Sequence, residues 1–429
     1  VEGMKSFANA APGVLAANVL ATCVLAAATP AALAQQGDFV TSGSACPAGA
    51  APQLEILGVP QPGLAPIFRV ADAPADTVAG FLFVGTATTS VPLDGLGAAG
   101  CVVQVDPILT LAMDVASAEV ELVAPLADNA ALLGATLELQ ALIVAPSANP
   151  AAIALTERGT ATLGAPAWEP LFVGIDAAFF DVQVENRPQR IYAARVDLLG
   201  PAVEFFVTPS NGDAPLETQS QRATEFLNEF DQSIAINTAF FGPCCSFIPE
   251  PKDVIGLSVS EGQEVSPFKL PGAGAGSVVL VIRDDNSAEI FTTDAPVDLS
   301  GIDSAMAGSD FIVEGGLNVG AEHISSADPF NLNPRTCAGL SADGRWLYLV
   351  VFDGRQPGVS NGVTVIEAGD WMRVLGSEVA LNLDGGGSTT LVAATPQGAQ
   401  VINDPVNAGQ VDVQRLNASH LGVTAPALE

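Results

Sequence analysis

The run Asp384-Gly385-Gly386-Gly387-Ser388-Thr389-Thr390 places a carboxylate, three side-chain-free residues and three hydroxyls in succession. A carboxylate can move a proton or attack carbon, and glycines let backbone N–H groups approach an anion. A hairpin turn uses one or two glycines, so three in a row point to a site. The run lacks the GK[ST] of a phosphate-binding P-loop and the last glycine of a GxSxG nucleophile elbow, which argues against both of those chemistries. A second constellation, Asp353-Gly354-Arg355 followed by Ser360 and Gly362, combines a carboxylate with a guanidinium fork suited to phosphate or carboxylate. Arg335, within Asn333-Pro334-Arg335-Thr336, is a further anion-binding candidate. Two aspartates at strand ends suit acid/base work on a glycosidic bond, with Asp384 and Asp353 as the pair. Glu217 is a spare carboxylate, read as favourable charge at a helix start.

These residues need elements to present them. Three apolar runs end in a polar residue: Ser233 to Ile236 before Asn237, Trp346 to Phe352 before Asp353, and Val379 to Leu383 before Asp384. Each has strand length, and a strand end is where a buried chain can expose a polar group. The three ends are expected to converge on one rim of a sheet. Two helices are expected between strands. Thr218 with Gln221 forms a capping-box pattern ahead of Ala223, Phe226, Leu227 and Phe230, and Thr364 with Glu367 starts a helix over Val365 to Leu375 that Gly376 stops. Over residues 165–429 the pattern is therefore of strands alternating with at least two helices, a mixed sheet with helices.

The 429 residues allow two or three domains. Acidic residues outnumber basic ones 47 to 15, a formal charge of -32 that argues against nucleic acid and anionic membranes as partners. An anionic substrate must then be met by locally placed arginines, because lysine occurs only at Lys5, Lys252 and Lys269. Residues 1–34 have the pattern of a secretory signal peptide, with Lys5, an Ala/Leu/Val-rich run and Ala32-Leu33-Ala34 before Gln35. Export is the expected fate, ahead of an uncleaved anchor or a lipid at Cys23, and no later stretch reaches spanning length. Cysteine use fits an oxidising compartment: Cys46 is expected to pair with Cys101, and Cys337 with Cys244 or Cys245. Two histidines and no paired CxxC argue against zinc; a divalent cation such as Ca²⁺ or Mg²⁺ beside a phosphate is left open, without a motif. After a linker over 35–45, residues 46–164 give short apolar runs broken by Pro, Gly and Asn, which imply an all-β sandwich. That segment also resembles, through ACPAG, AAGC, ALLGATLELQALIV and RGTATLG, a secreted accessory module of planctomycete-like bacteria with no established activity.

ALNLDGGGSTTLV, the segment that starts with PRTCAGL and continues through FDGRQPGVSNG to GSEV, and AINTAFF together resemble the phosphodiester glycosidase family, over about Trp168 to Val423. The resemblance implies an α+β hydrolase that releases the sugar from a sugar-1-phosphodiester and leaves phosphate on the other product. Carried over residue by residue, it implies catalytic Asp384 and Asp353. Its implied substrate- or phosphate-binding residues are Asn237, Arg335, Thr336, Gly354, Arg355, Ser360, Gly362, Asn382, Gly385, Gly386, Gly387, Ser388 and Thr389, with Phe241 also matching. Arg335 and Arg355 are the expected phosphate holders. Two departures stand out. Thr238 and Ala239 replace glycines, which would narrow the pocket; and where the family has an asparagine-proline element and then Glu-Arg, this chain has Asn403-Asp404-Pro405 and Gln414-Arg415, so that Gln414 replaces a glutamate for which a supporting role is expected. The expected substrate is an extracellular or envelope glycan. The alternatives are a non-catalytic glycan-binding surface protein and a phosphodiesterase that cuts P–O.

Overall fold

The computed structural model describes residues 36–47, 51–116, 119–200, 202–270, 275–322 and 329–428. The signal-peptide pattern therefore lies outside the described residues. The chain divides into two units, Val1–Ala167 and Trp168–Glu429.

In the first unit one continuous antiparallel path of strands replaces the two separate sheets of a sandwich. It runs from Asp38–Ser42 through Arg158–Thr162, Thr136–Val144, Ala79–Gly85, Leu109–Ala116, Glu119–Val123 and Ile67–Ala71 to Gln53–Leu57. Leu54 and Leu139, far apart along this path, belong to one buried cluster with Phe68, Leu82 and Ile143, so the sheet curls over its own core. Asp38–Ser42 falls in the stretch read as a linker, yet it pairs with Arg158–Thr162. The cause is Phe39, whose ring lies against Gly159, where a Cβ would overlap it, and faces Phe68 at 6.1 Å. Cys46 and Cys101 form the expected disulfide.

The second unit corrects the α+β expectation, because it is built almost entirely of antiparallel strands. An eight-stranded sheet, a five-stranded sheet of Glu204–Val207, His420–Thr424, Ile234–Asn237, Leu391–Thr395 and Gly398–Val401, and a second five-stranded sheet share one core with Leu280, Ile236, Val351 and Leu381 in it. The described residues contain two α-helices, Ala223–Glu229 and Val365–Leu375. Short Gly- and Pro-rich connections can join only antiparallel neighbours, whereas a parallel pair needs a long crossover, usually a helix. The two helices lie in just such crossovers, between strands two places apart in a sheet: Ala223–Glu229 between Glu204–Val207 and Ile234–Asn237, and Val365–Leu375 between Trp346–Phe352 and Ser377–Asn382. Ala223–Glu229 buries Phe226 and Leu227 against Ala235 and Val392. Its cap is also not the expected one: Arg222 is the N-cap, with its N–H donating to Glu225 at 2.8 Å, while Thr218 lies in a short strand. Val365–Leu375 has the expected reciprocal Thr364–Glu367 cap and the Gly376 stop in the left-handed region. Its Trp371 packs on Phe180 of the eight-stranded sheet at 5.4 Å.

Cys337 does not pair with Cys244 or Cys245. It is buried and free, and Cys244 is bonded to its neighbour Cys245. Position explains this: Cys337 lies in a strand flanked on both sides, opposite Asn382 and Val350, whereas Cys244 and Cys245 lie in an exposed loop. No helix among the described residues is long and apolar enough to cross a membrane.

Candidate active site

Three neighbouring strands of the eight-stranded sheet bring the chemistry to one end. Arg335 begins Arg335–Ser341 and pairs with Phe352, which ends Trp346–Phe352 just before Asp353. On the other side Cys337 pairs with Asn382, which ends Ser377–Asn382 two residues before Asp384. Antiparallel register thus puts Asp353, Arg335 and Asp384 at one end. Asn237, however, ends a strand of the five-stranded sheet, so the three polar strand ends meet where two sheets abut rather than on a single rim.

Asn237 is the latch between those sheets. It is 1% exposed. Its Nδ2 donates to the Asp384 carbonyl at 2.6 Å, and its Oδ1 accepts from Thr336 Oγ1 at 2.9 Å and Thr390 N–H at 3.0 Å. The chain crosses over at the same point: Leu383 N–H donates to Thr336 O, and Asp384 N–H to Thr238 O, both at 2.8 Å.

The glycine run folds as a single 3₁₀ turn, Gly386–Ser388, and each glycine answers a different neighbour. A Cβ on Gly385 would lie 2.7 Å from Pro334 O. Gly386 has φ +63° and carries the Arg355 guanidinium above it, with Nη2 3.0 Å from where a Cβ would be. A Cβ on Gly387 would overlap Nη2 of Arg415. The loop is thus a floor on which two arginines rest. The amide of Gly386 is already used, donating to Pro334 O at 2.8 Å.

A cleft of about 260 Å³ opens over this floor. Asp384, Gly385, Gly386, Gly387, Asn382, Arg335 and Arg355 line it, all of them sequence candidates, together with Phe240, Asn333, Pro334 and Arg415. Arg335 is 3% exposed, and its guanidinium is braced by the carbonyls of Val363 and Asn331 at 2.8 and 3.0 Å. Arg355 donates to Asn333 Oδ1 at 3.0 Å, and Arg415 to Ser388 Oγ at 3.2 Å. Burial pushes the Asp384 carboxyl up to about 6, against the opposing pull of Ser388, the Arg415 charge and the Gly385 N–H. Burial likewise lowers Arg415, with Asp384 opposing and Arg355 reinforcing that shift.

Other candidates stand behind the cleft and do not line it. Asp353 is 1% exposed, and its carboxylate accepts from Asn403 Nδ2 at 2.8 Å and Asp404 N–H at 3.0 Å. Burial raises it to about 6, opposed by those two donors. Asn403 passes this anchor to the loop, donating to Thr389 O at 3.2 Å and accepting from Leu391 N–H at 2.9 Å. Ser360 Oγ donates to Asp353 O and accepts from Arg190 N–H; Gly354 and Gly362 pack on Asn333 and Pro334. Thr238 and Ala239 do not narrow the cleft: Thr238 bonds Ser419, and Ala239 packs with Phe241, Val254 and Ala418. Phe241 is thus a packing residue, and its neighbour Phe240 reaches the cleft. Gln414 exchanges hydrogen bonds with Thr224 at the start of the first helix. No group of three or more metal-ligating side chains occurs among the described residues.

The sequence reading noted Asn403 and Arg415 within the elements Asn403-Asp404-Pro405 and Gln414-Arg415 but gave neither a role in the site. One signal existed for the arginine. In a chain with 47 acidic residues, nine of the twelve arginines pair with a carboxylate among the described residues: Arg69, Arg158, Arg187, Arg190, Arg195, Arg222, Arg283, Arg345 and Arg373. Arg355 and Arg415 have no carboxylate at ion-pair distance among those residues, and both are in the cleft.

The model of the phosphodiester glycosidase family matches residues 232–424. No curated protein matches the chain. Among solved structures, the zebrafish N-acetylglucosamine-1-phosphodiester alpha-N-acetylglucosaminidase catalytic domain, auto-inhibited by its pro-peptide, is 18% identical with a TM-score of 0.45, covering 60% of this chain and 84% of that one. A hypothetical protein from Synechocystis is 13% identical with a TM-score of 0.41, covering 67% of this chain and 74% of that one. A putative exported protein from Burkholderia pseudomallei is 13% identical with a TM-score of 0.38, covering 90% of this chain and 99% of that one. The segment that carries the latch asparagine, the glycine floor and all three cleft arginines is a match to the phosphodiester glycosidase family.

Proposed function

We propose that this protein is an exported hydrolase that cleaves the C1–O bond of a sugar-1-phosphodiester in an extracellular or envelope glycan. The observation that carries the reading is the pair of arginines without a carboxylate at ion-pair distance, Arg355 and Arg415, resting on the glycine floor beside Asp384. Elsewhere in so acidic a chain, guanidinium groups are neutralised internally. Two left over in one cleft call for an anion from outside, and phosphate matches the fork.

The leaving group simplifies the chemistry. Departing phosphate has a second pKa near ~6, so it needs little protonation to leave, unlike a sugar alcohol. The carboxylate is then best spent on the carbon side. Asp384 acts ionised, as base for water or as nucleophile at C1, while Arg355, Arg415 and Arg335 take the charge that develops on the departing oxygen. Water supplies hydroxyl to C1 and a proton to the phosphate, giving free sugar and a phosphomonoester. Asp353 acts from behind the cleft, through Asn403, as a positioning residue. The Cys46–Cys101 disulfide supports an oxidising, exported location.

The test is sugar release from synthetic sugar-1-phosphodiesters in H₂¹⁸O by the wild-type protein and by Asp384→Asn. Label in the sugar, and loss of release in the variant, are expected. Label in the phosphate would identify a phosphodiesterase cutting P–O, and saturable binding without release would identify a glycan-binding protein.

A further inference from the structure

Resting on that reading, we infer that the sugar released is the end of a longer glycan: a second sugar, joined to the one that bears the phosphate, lies on an open shelf leading out of the cleft. The shelf is one face of a hairpin, Phe241–Gly242 against Pro251–Val254. Side chains alternate across a strand, and residues opposite each other in register share a face. Phe241 pairs with Val254, and both are buried in one cluster with Ala239 and Ala418. The other face holds Phe240, Gly242, Asp253 and Ile255. Gly242 pairs with Asp253, and Ile255 N–H donates to Phe240 O at 2.8 Å. None of these four is buried, and a Cβ on Gly242 would meet nothing within 4 Å.

Phe240 joins the two places, because it also lines the cleft. The shelf starts where Asp384 stands, since the Asp384 N–H is held by Thr238 O, two residues before Phe240. Its chemistry suits a sugar and not a phosphate. Phe240 and Ile255 give apolar surface to the C–H face of a pyranose, and the bare backbone at Gly242 leaves room for the ring. The exposed Asp253 carboxylate accepts from hydroxyls and repels phosphate, which the arginines on the glycine floor attract. The packed face keeps the shelf in place. Lys252 is fully buried there, 5.8 Å from the Phe241 ring centre, and donates to Pro243 O at 2.6 Å and to Glu250. It thus ties together the two ends of the loop, 243–250, that closes the hairpin. The reaction is unchanged in its balance: C1–O breaks, water gives hydroxyl to C1 and its other proton to the departing oxygen, and the products are a free oligosaccharide and a phosphomonoester.

The experiment varies the sugar and keeps the phosphate constant. The 1-(methyl phosphate) esters of glucose, mannose and N-acetylglucosamine are compared, with the full chain, with those of maltose, cellobiose, mannobiose and chitobiose. The expected result is a kcat/KM for a disaccharide ester that is higher than for its monosaccharide by about 10- to 100-fold, because contacts remote from the reacting carbon can lower its barrier. In Gly242→Val, which puts a branched side chain into the open space, that ratio should fall below about threefold. Asp253→Ala, at an exposed position, should lower the ratio too and provides the reading if Gly242→Val does not fold. Equal turnover of monosaccharide and disaccharide esters, or a preference for the monosaccharides, would overturn the shelf while leaving the glycosidase intact. Release from no ester would overturn the glycosidase reading itself. A ratio untouched in both variants would put the second sugar elsewhere, and would overturn the inference.

Discussion

The guanidinium of Arg415 fills the place that a Cβ would take on Gly387, and its Nη1 donates to Ser388 Oγ at 3.2 Å. The third glycine of the run is therefore a seat for a side chain from a later part of the sequence. Its neighbour Gly386 has a positive φ, so an added methyl there would strain the backbone as well as displace Arg355.

For Gly387→Ala the cost is displacement of Arg415 alone. We expect a fall in kcat/KM of about 100-fold, the loss of one strong charge-assisted contact, with Tm lowered by only a few degrees. Steady-state kinetics beside a thermal melt checks this. A variant that melts like the wild type and keeps full activity would remove Arg415 from the site.

The two aspartates, both raised to about 6, can be separated by pH. If Asp384 works ionised, kcat/KM climbs as pH rises through about 6, and this limb persists in Asp353→Asn with activity reduced about tenfold. Asp384→Asn should lose more than about a thousandfold. An acid limb that disappears in Asp353→Asn would exchange the roles.

The same shifts bear on stability. A carboxyl raised above its unfolded value of 3.8 stabilises the fold while protonated, and that contribution is lost as pH rises through about 6. Asp384→Asn should thus gain about 1–3 kcal/mol over wild type at about pH 7 and nothing at about pH 3.5, measured by denaturant titration. A function-for-stability exchange of this kind is the mark of a site carboxylate.

His420 also lowers stability when it must ionise, but at the acid end. It is fully buried, stacked on Phe226 at 5.0 Å, and burial lowers it to about 3 from 6.5. The unfolded chain binds the proton first, so stability falls as pH drops below about 6.5, by up to about 1.4 kcal/mol per unit, until about 3. His420→Gln should flatten that slope by about one proton; an unchanged slope would show that His420 is not the group responsible.

On the proposed function, salt should help substrate binding. The formal charge of -32 repels an anionic substrate at long range, although the cleft attracts it at short range. Raising ionic strength to about 0.1 M shortens the screening length to about 10 Å, which suppresses the distant repulsion first. KM should drop severalfold between about 10 and 100 mM NaCl, with kcat constant. A rising KM would mean that the cleft's own field dominates.

Much of the site is legible in the sequence because its parts sit at strand ends. Asn237, Asp353 and Asp384 each follow an apolar run, and that pattern alone announces where the sheets expose polar groups. What local pattern cannot give is partnership across the fold. Asp353 and Asp384 have equivalent sequence settings, yet Asn403 and the Asp404 amide enclose one while the other opens to the cleft. Arg415 lies outside any strand, and its place in the Gln414-Arg415 element says nothing of the glycine it covers. The α+β expectation fails because it generalises from two helices that cross between strands two places apart, whereas every strand pairs with its neighbours antiparallel and nearly all the rest of the unit is strand.

The Asn237 latch also decides when the site can exist. Its bonds to Asp384 and Thr390 span 147 and 153 residues, and that to Thr336 spans 99. Such high contact order delays their formation until nearly the whole second unit has collapsed. A chain still emerging during synthesis, or one clipped ahead of Arg415, can acquire hairpins and a core but no cleft. Refolding should restore the strand circular-dichroism signal well before the cleft can hold an anion, so the site becomes the last property the polypeptide gains and the first it loses to truncation.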